Sequence, residues 1–147
     1  MRDRIKMVHL DLEVTNVEEL LQQQVQSLHQ AGFLSEVEEP LRLLMEREAV
    51  HSTAMGSGAA FPHARWEGCT EPVIGVSRLC PSIPFGDPVM GPVDLVFLIL
   101  GPEEDPSRHV RLLGRLAKLV QQQETMGKLR KATDEVEFLT HLKSALF

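Results

Sequence analysis

One apolar run places the strongest constraint on the fold of this chain. Residues 95–100 carry no polar side chain, and they end a β-branched and apolar segment that begins at Val93. A strand with one wet face alternates polar and apolar residues, so an uninterrupted run predicts a strand that is covered on both faces. Residues 73–79 are also β-branched and apolar, but with more polar interruption. Both segments are therefore expected to be central strands, in an α/β fold whose mixed sheet has helices packed on both faces.

Helical periodicity precedes these strands. Asn16 is a capping residue, and apolar residues at spacings of three and four predict a first helix from Val17 to Gln30. A second apolar stripe predicts another helix that ends near Val50, with Pro40 suited to its first position. The glutamines at 22–24 fall within the first helix and are expected to be solvated.

The remaining elements follow from alternation and capping. Residues 7–14 alternate as a half-buried strand does, and the proline-rich residues 80–92 predict a loop without a helix. Asp105 and Pro106 begin a third helix, residues near Met126 form a helical turn, and a last helix follows. The apolar residues of the third and last helices are expected to face the core: Val110, Leu112, Leu113, Leu116, Leu119, Val120, Val136, Phe138, Leu139, Leu142 and Leu146.

Length and charge exclude several classes of protein. A chain of 147 residues is long enough for one domain, residues 1–147, and too short for a second catalytic lobe. Its net charge of −6 and the lack of a basic run argue against nucleic acid as a partner. No apolar run approaches the length of a signal-peptide core or a membrane span. Cys69 and Cys80 lack CxxC spacing, and a chain of this length does not need a disulfide to fold, so we expect reduced thiols in a cytoplasmic protein.

An aperiodic stretch at residues 51–65 contains the first candidate for chemistry. It is rich in small residues, which predicts a loop around short extended pieces. Pro62 stiffens the chain that enters His63, while Gly56 and Gly58 allow backbone amides to turn toward an anion. A fixed imidazole beside such amides suits a nucleophile that carries a phosphoryl group. The alternative is a histidine that only satisfies a buried carbonyl.

Three further residues could contact the same anion. His109 lies in the first turn of the third helix, where free amides and the helix dipole favour negative charge. Arg47, near the end of the second helix, offers a two-donor fork for phosphoryl oxygens, and Thr53 offers a hydroxyl. Each also has a purely structural interpretation: a surface histidine, a cation that offsets the helix dipole, and a local turn hydrogen bond.

Other chemistries have weaker support. A metal site built on His63, His109 and a carboxylate lacks the usual HxxxH or HExxH spacing. Ser57 has no GxSxG setting, and neither cysteine is adjacent to a basic residue. Asp94 begins a buried strand and Asp87 lies in a Gly-Asp-Pro turn, so structural roles are expected for both.

The ordered motif around His63 resembles a known signature. Arg47-Glu48 is followed by STAMG at 52–56 and by GAAFPHAR at 58–65. This order is similar to that of the phosphotransferase-system (PTS) enzyme IIA domains of the mannitol/fructose type, EIIA type 2, including their nitrogen-regulatory branch. The resemblance covers essentially the whole chain, and residues 84–87 with 93–97 look more like the nitrogen-regulatory branch. Residues 59–61 depart from the usual bulky-Ala-aliphatic pattern without removing a reactive group.

The resemblance implies a phosphohistidine carrier without a metal or cofactor. In such a carrier, His63 accepts a phosphoryl group from the phosphocarrier protein HPr, or its nitrogen-system counterpart, and can pass it to a cysteine of an enzyme IIB. His109 falls where the family has its second active-site histidine, and Arg47 where an arginine holds the phosphoryl group; Thr53 is expected to assist. Phosphorylation would also suit a regulatory switch of partner binding. The alternatives are a binding module that keeps the fold without phosphorylation and a metal-dependent enzyme.

Overall fold

A mixed sheet occupies the centre of the computed structural model, which describes residues 4–86 and 88–146. Its strands are β1 (Ile5–Leu12), β2 (Ala59–Ala60), β3 (His63–Arg65), β4 (Val73–Ile83) and β5 (Val93–Gly101). The sheet order is β1, β4, β5, β2, and β3 also pairs with β5. Strands β4 and β5 are antiparallel, and the other pairs are parallel. The predicted mixed central sheet is confirmed.

Helices cover both faces of this sheet. They are α1 (Val17–Gln30), α2 (Glu38–Val50), α3 (Pro106–Val120), α4 (Gln123–Lys131) and α5 (Glu135–Leu146). Along β5 the side chains alternate between two layers: Phe97 and Ile99 pack with α3, α4 and α5, whereas Leu98 and Leu100 pack with α1 and α2. The apolar run therefore forms a strand buried on both faces, as its composition predicts.

Capping residues begin the helices that matter for the site. The Asn16 side chain accepts a hydrogen bond from the Glu19 amide at 2.8 Å, and α1 has its predicted bounds. Asp105 caps α3 in the same way, with Pro106 as the first helical residue. Helix α2 begins two residues before Pro40, without a side-chain cap. The turn predicted near Met126 is the nine-residue helix α4.

Two loop and surface predictions were wrong. Residues 80–92 are not all loop, since β4 continues to Ile83 and a 3₁₀ turn forms at Pro88–Met90. Gln24 is fully buried and donates a hydrogen bond to the Ser77 hydroxyl at 2.8 Å. It lies four residues from both Leu20 and Leu28, so helical spacing places it on the core face, where Ser77 satisfies it. The predicted strand at 7–14 is shifted toward the N-terminus by two residues.

Two valines predicted to be in the core are exposed. The exposed fraction is 64% for Val110 and 76% for Val136. Val110 follows the buried His109 by one position, a rotation of about 100° around the helix, which turns it to solvent. Val136 precedes the buried Phe138 by two positions and lies on nearly the opposite face of α5. Cys69 is buried and Cys80 is exposed, both as free thiols.

Candidate functional site

A break in the sheet brings His63 to its position. Pro62 has no amide proton, so pairing with β5 stops after Ala60 and resumes at His63, which lies opposite Ile99. The Pro62 carbonyl accepts a hydrogen bond from the Ile99 amide at 2.9 Å, which anchors this segment. Strand β3 is therefore a short, fixed edge strand, and His63 is its first residue.

The two candidate histidines lie side by side. Strand β5 ends at Gly101, and a short connection leads to α3. The first turn of α3, which contains His109, lies beside β3. The ring centroids of His63 and His109 are 5.3 Å apart, with the ring planes tilted by 50°. The expected juxtaposition of these residues is thus present in the fold.

The histidine pair occupies an open depression of about 560 Å³, called here the His63 depression. Besides the two imidazoles, both arginines near the loop reach it, and apolar side chains form much of its wall. The residues that line it are Leu43, Glu46, Arg47, Val50, His63, Ala64, Arg65, Glu103, His109, Val110 and Leu113. Two guanidinium groups beside two imidazoles make this a suitable place for an anion.

The tautomer of His63 is set by a backbone carbonyl. Its Nδ1 lies 2.7 Å from the Phe61 oxygen, and a carbonyl can only accept, so Nδ1 carries the proton and donates. Burial lowers the pKa of His63; the hydrogen bond to Phe61 acts in the opposite direction, and the charge of Arg47 adds a smaller decrease. At neutral pH the ring is therefore neutral, and Nε2 holds an available lone pair.

His109 is also held neutral. Burial lowers its pKa to about 4, with further contributions from the charges of His63 and Arg65. Its Nε2 is buried and has no hydrogen-bond partner among the described residues. A Cβ on Gly101 would approach Nδ1 to 2.9 Å, so this glycine leaves the space that the ring needs. A neutral ring with an unsatisfied polar atom thus lies beside His63.

Arg47 and Thr53 differ in their positions. Arg47, in the last turn of α2, lines the His63 depression and donates from one terminal nitrogen to the His51 carbonyl at 3.0 Å. Thr53 is buried, is not among the residues that line the depression, and donates its hydroxyl proton to Glu48 at 2.7 Å. Of the two interpretations of Thr53, the structure displays the local hydrogen bond.

Sequence reasoning overlooked two residues of this region. Arg65 was not proposed as a site residue, although residues two apart on a strand share a face and it follows His63 by two positions. Gly101 was also not singled out, because the need for a small residue there becomes visible only when His109 folds back over the end of β5.

Of the remaining candidates, Asp94 has a structural role. Asp94 pairs with Arg130 at 2.8 Å, and the same arginine donates to the Ser57 carbonyl. Asp87 lies outside the described residues. Within residues 4–86 and 88–146, no group of three or more potential metal ligands is present. In the same part of the chain, no helix has the length and apolar character that a membrane crossing requires.

Acid should destabilise the fold through His109. Its pKa is about 4 in the folded state and about 6.5 when unfolded, so the unfolded chain binds the extra proton between these values. The contribution is complete above pH 6.5 and is lost as the pH falls toward 4. We expect the free energy of unfolding to decrease by about 1–3 kcal/mol from this group between pH 7 and 4.5. Urea denaturation of the wild type and of His109→Gln at both pH values measures it; an equal decrease in both proteins would contradict it.

Comparison with known proteins places this geometry in context. A nitrogen regulatory protein of Pseudomonas aeruginosa is 36% identical over 89 residues, which are 60% of this chain and 58% of that protein. A crystal structure of nitrogen regulatory protein IIA-Ntr from Neisseria meningitidis has a TM-score of 0.87, at 23% identity, and the match covers 99% of this chain and 98% of that one. A complex of enzyme IIA Mtl with phosphorylated enzyme IIB Mtl from Escherichia coli has a TM-score of 0.75, at 17% identity, covering 93% and 94%.

The family signature accounts for nearly the whole chain. A model described as "Phosphoenolpyruvate-dependent sugar phosphotransferase system, EIIA 2" matches residues 4–145. The matched range includes both histidines, Arg47 and every helix and strand that positions them. The resemblance inferred from residues 47–65 is confirmed. The chain belongs to the EIIA type 2 family of the phosphoenolpyruvate-dependent sugar phosphotransferase system.

Proposed function

We propose that this protein is a phosphohistidine carrier whose His63 accepts a phosphoryl group from HPr or from the nitrogen-system counterpart of HPr. One observation carries the proposal: the Nδ1 proton of His63 is donated to the Phe61 carbonyl, which leaves Nε2 as a neutral nucleophile. The His63 depression supplies His109 and Arg47 for the charge that develops on the phosphoryl oxygens. Membership of a phosphotransfer family supports this assignment.

The proposed transfer forms a phosphorus–nitrogen bond to His63 and breaks the one to the donor histidine. The Nε2 lone pair of His63 attacks phosphorus, the bond from phosphorus to the donor imidazole breaks, and that electron pair returns to the donor ring. His63 keeps its Nδ1 proton, so the product is a phospho-imidazolium whose positive charge the Phe61 oxygen stabilises. A cationic ring is a good leaving group, which keeps the phosphorus–nitrogen bond labile for the next transfer.

The phosphoryl group has two proposed fates. The E. coli complex pairs a IIA protein with a phosphorylated IIB, which supports transfer to an enzyme IIB. The similarity to a nitrogen regulatory protein supports a regulatory role, in which phosphorylation changes the protein that is bound. A dianionic group on this shallow surface alters its charge enough for such a switch.

Incubation with phosphoenolpyruvate, enzyme I and HPr tests the proposal, and a second reaction uses the nitrogen-system counterparts. The expected result is one acid-labile phosphate per chain, detected by intact-mass spectrometry before and after acid treatment. If neither donor pair phosphorylates the folded protein, the carrier proposal fails, and the binding module without phosphorylation takes its place.

A further inference from the structure

A half-buried carboxylate follows Arg47 in the sequence but does not line the His63 depression. Glu48, in the last turn of α2, accepts two kinds of hydrogen bond from Thr53. The Thr53 amide lies 3.0 and 3.2 Å from the two carboxylate oxygens, and the hydroxyl lies 2.7 Å from one of them. This bidentate contact joins the end of α2 to the loop that leads to His63.

The contact continues through the backbone to the reactive ring. The Thr53 carbonyl accepts a hydrogen bond from the Phe61 amide at 3.3 Å, and the Phe61 carbonyl accepts the Nδ1 proton of His63 at 2.7 Å. Phe61 is therefore bonded to Thr53 at its amide and to His63 at its carbonyl. Its buried ring packs edge-on against Phe97 at 5.5 Å, which holds the residue from the core side.

We propose that Glu48 is a positioning residue that acts through Thr53 and Phe61 to hold His63 in the Nδ1-protonated tautomer. This inference rests on the proposed function, because it concerns the ring that is to be phosphorylated. The Phe61 carbonyl selects the tautomer only while it stays in place. The hydrogen bonds from Thr53 to both carboxylate oxygens of Glu48 fix Thr53, whose carbonyl accepts the hydrogen bond from the Phe61 amide. In this proposal Thr53 orients the segment, because its hydroxyl proton is donated to Glu48.

Two near-isosteric variants test this chain of contacts. Thr53→Val removes the hydroxyl donor, and Glu48→Gln replaces one acceptor oxygen of the carboxylate. Thr53→Ser retains the hydroxyl, and Glu39→Gln alters an exposed glutamate in the first turn of the same helix, paired with Arg42. The first readout is the pair of ¹⁵N chemical shifts of the His63 ring in the unphosphorylated protein, which report the tautomer directly. The second is the rate of phosphorylation.

We expect mixed His63 tautomers and about tenfold slower phosphorylation in Thr53→Val and Glu48→Gln. Glu39→Gln should retain the wild-type shifts and rate, and Thr53→Ser, the conservative variant, should restore the Nδ1-protonated form that Thr53→Val loses. If folded Glu48→Gln keeps the pure Nδ1-protonated form, the proposal is wrong, whatever the result for Thr53→Val. Because the shifts are measured without a phosphoryl donor, a wild type that accepts no phosphate overturns the proposed function and leaves this test intact.

Discussion

His63→Ala is expected to reduce phosphorylation by phosphoenolpyruvate, enzyme I and HPr below detection, while the protein keeps its fold. The substitution removes the nitrogen whose lone pair is proposed to attack phosphorus, and the Nε2 of His109, the other imidazole at the depression, is buried and does not replace it. The imidazole packs beside His109 near the surface and is half-buried, so its loss should affect stability little. Intact-mass spectrometry and circular dichroism measure the two effects.

His141→Ala is the matched control for this variant. His141 lies on α5, is half-buried, is 3.8 Å from Glu137, and lines a separate depression between α4 and α5. It should accept phosphate at the wild-type rate. Acid-labile phosphate on folded His63→Ala would show that the acceptor lies elsewhere in the chain.

The sequence predicts the fold well where periodicity and burial coincide. The bounds of α1 and the start of α3 follow from Asn16 and Asp105, whose side chains are the observed caps. Errors occur where the polarity of a residue does not match the face of the helix on which it lies. Gln24 is polar yet lies on the core face, and Val110 is apolar yet faces solvent, because rotation around the helix, not polarity, decides the direction of a side chain.

The candidate site was only partly visible in the sequence. A local pattern suggested that His63 and Arg47 contact the same anion, because Arg47 lies near the end of the second helix, just before the loop that contains His63. The tautomer of His63 was not predictable, since it depends on the direction in which the Phe61 carbonyl, just before Pro62, points in the fold. The contact between Glu48 and Thr53 was not predictable for a similar reason, because only the folded loop brings the two residues together.

His109→Ala should slow phosphorylation of His63 by about 10²-fold, the usual cost of removing one preorganised group that stabilises transition-state charge. The ring lines the His63 depression with its centroid 5.3 Å from that of His63, so it contributes to the electrostatic surroundings of a phosphoryl group on His63. Stopped-time assays with HPr as donor measure the rate. A folded His109→Ala that reacts as fast as the wild type would remove this residue from the mechanism.

Gly101→Ala offers an independent test of the same ring, because it leaves both histidines in the sequence. The added Cβ would lie 2.9 Å from His109 Nδ1 and must displace the imidazole, so we expect a slower reaction in this variant as well. Gly114→Ala is its control on α3, where a Cβ meets nothing within 4 Å; it should react normally and gain about 0.5–1 kcal/mol in stability. If Gly101→Ala reacts normally while His109→Ala is slow, the identity of the ring matters but its placement beside β5 does not, which would contradict charge stabilisation by a preorganised imidazole.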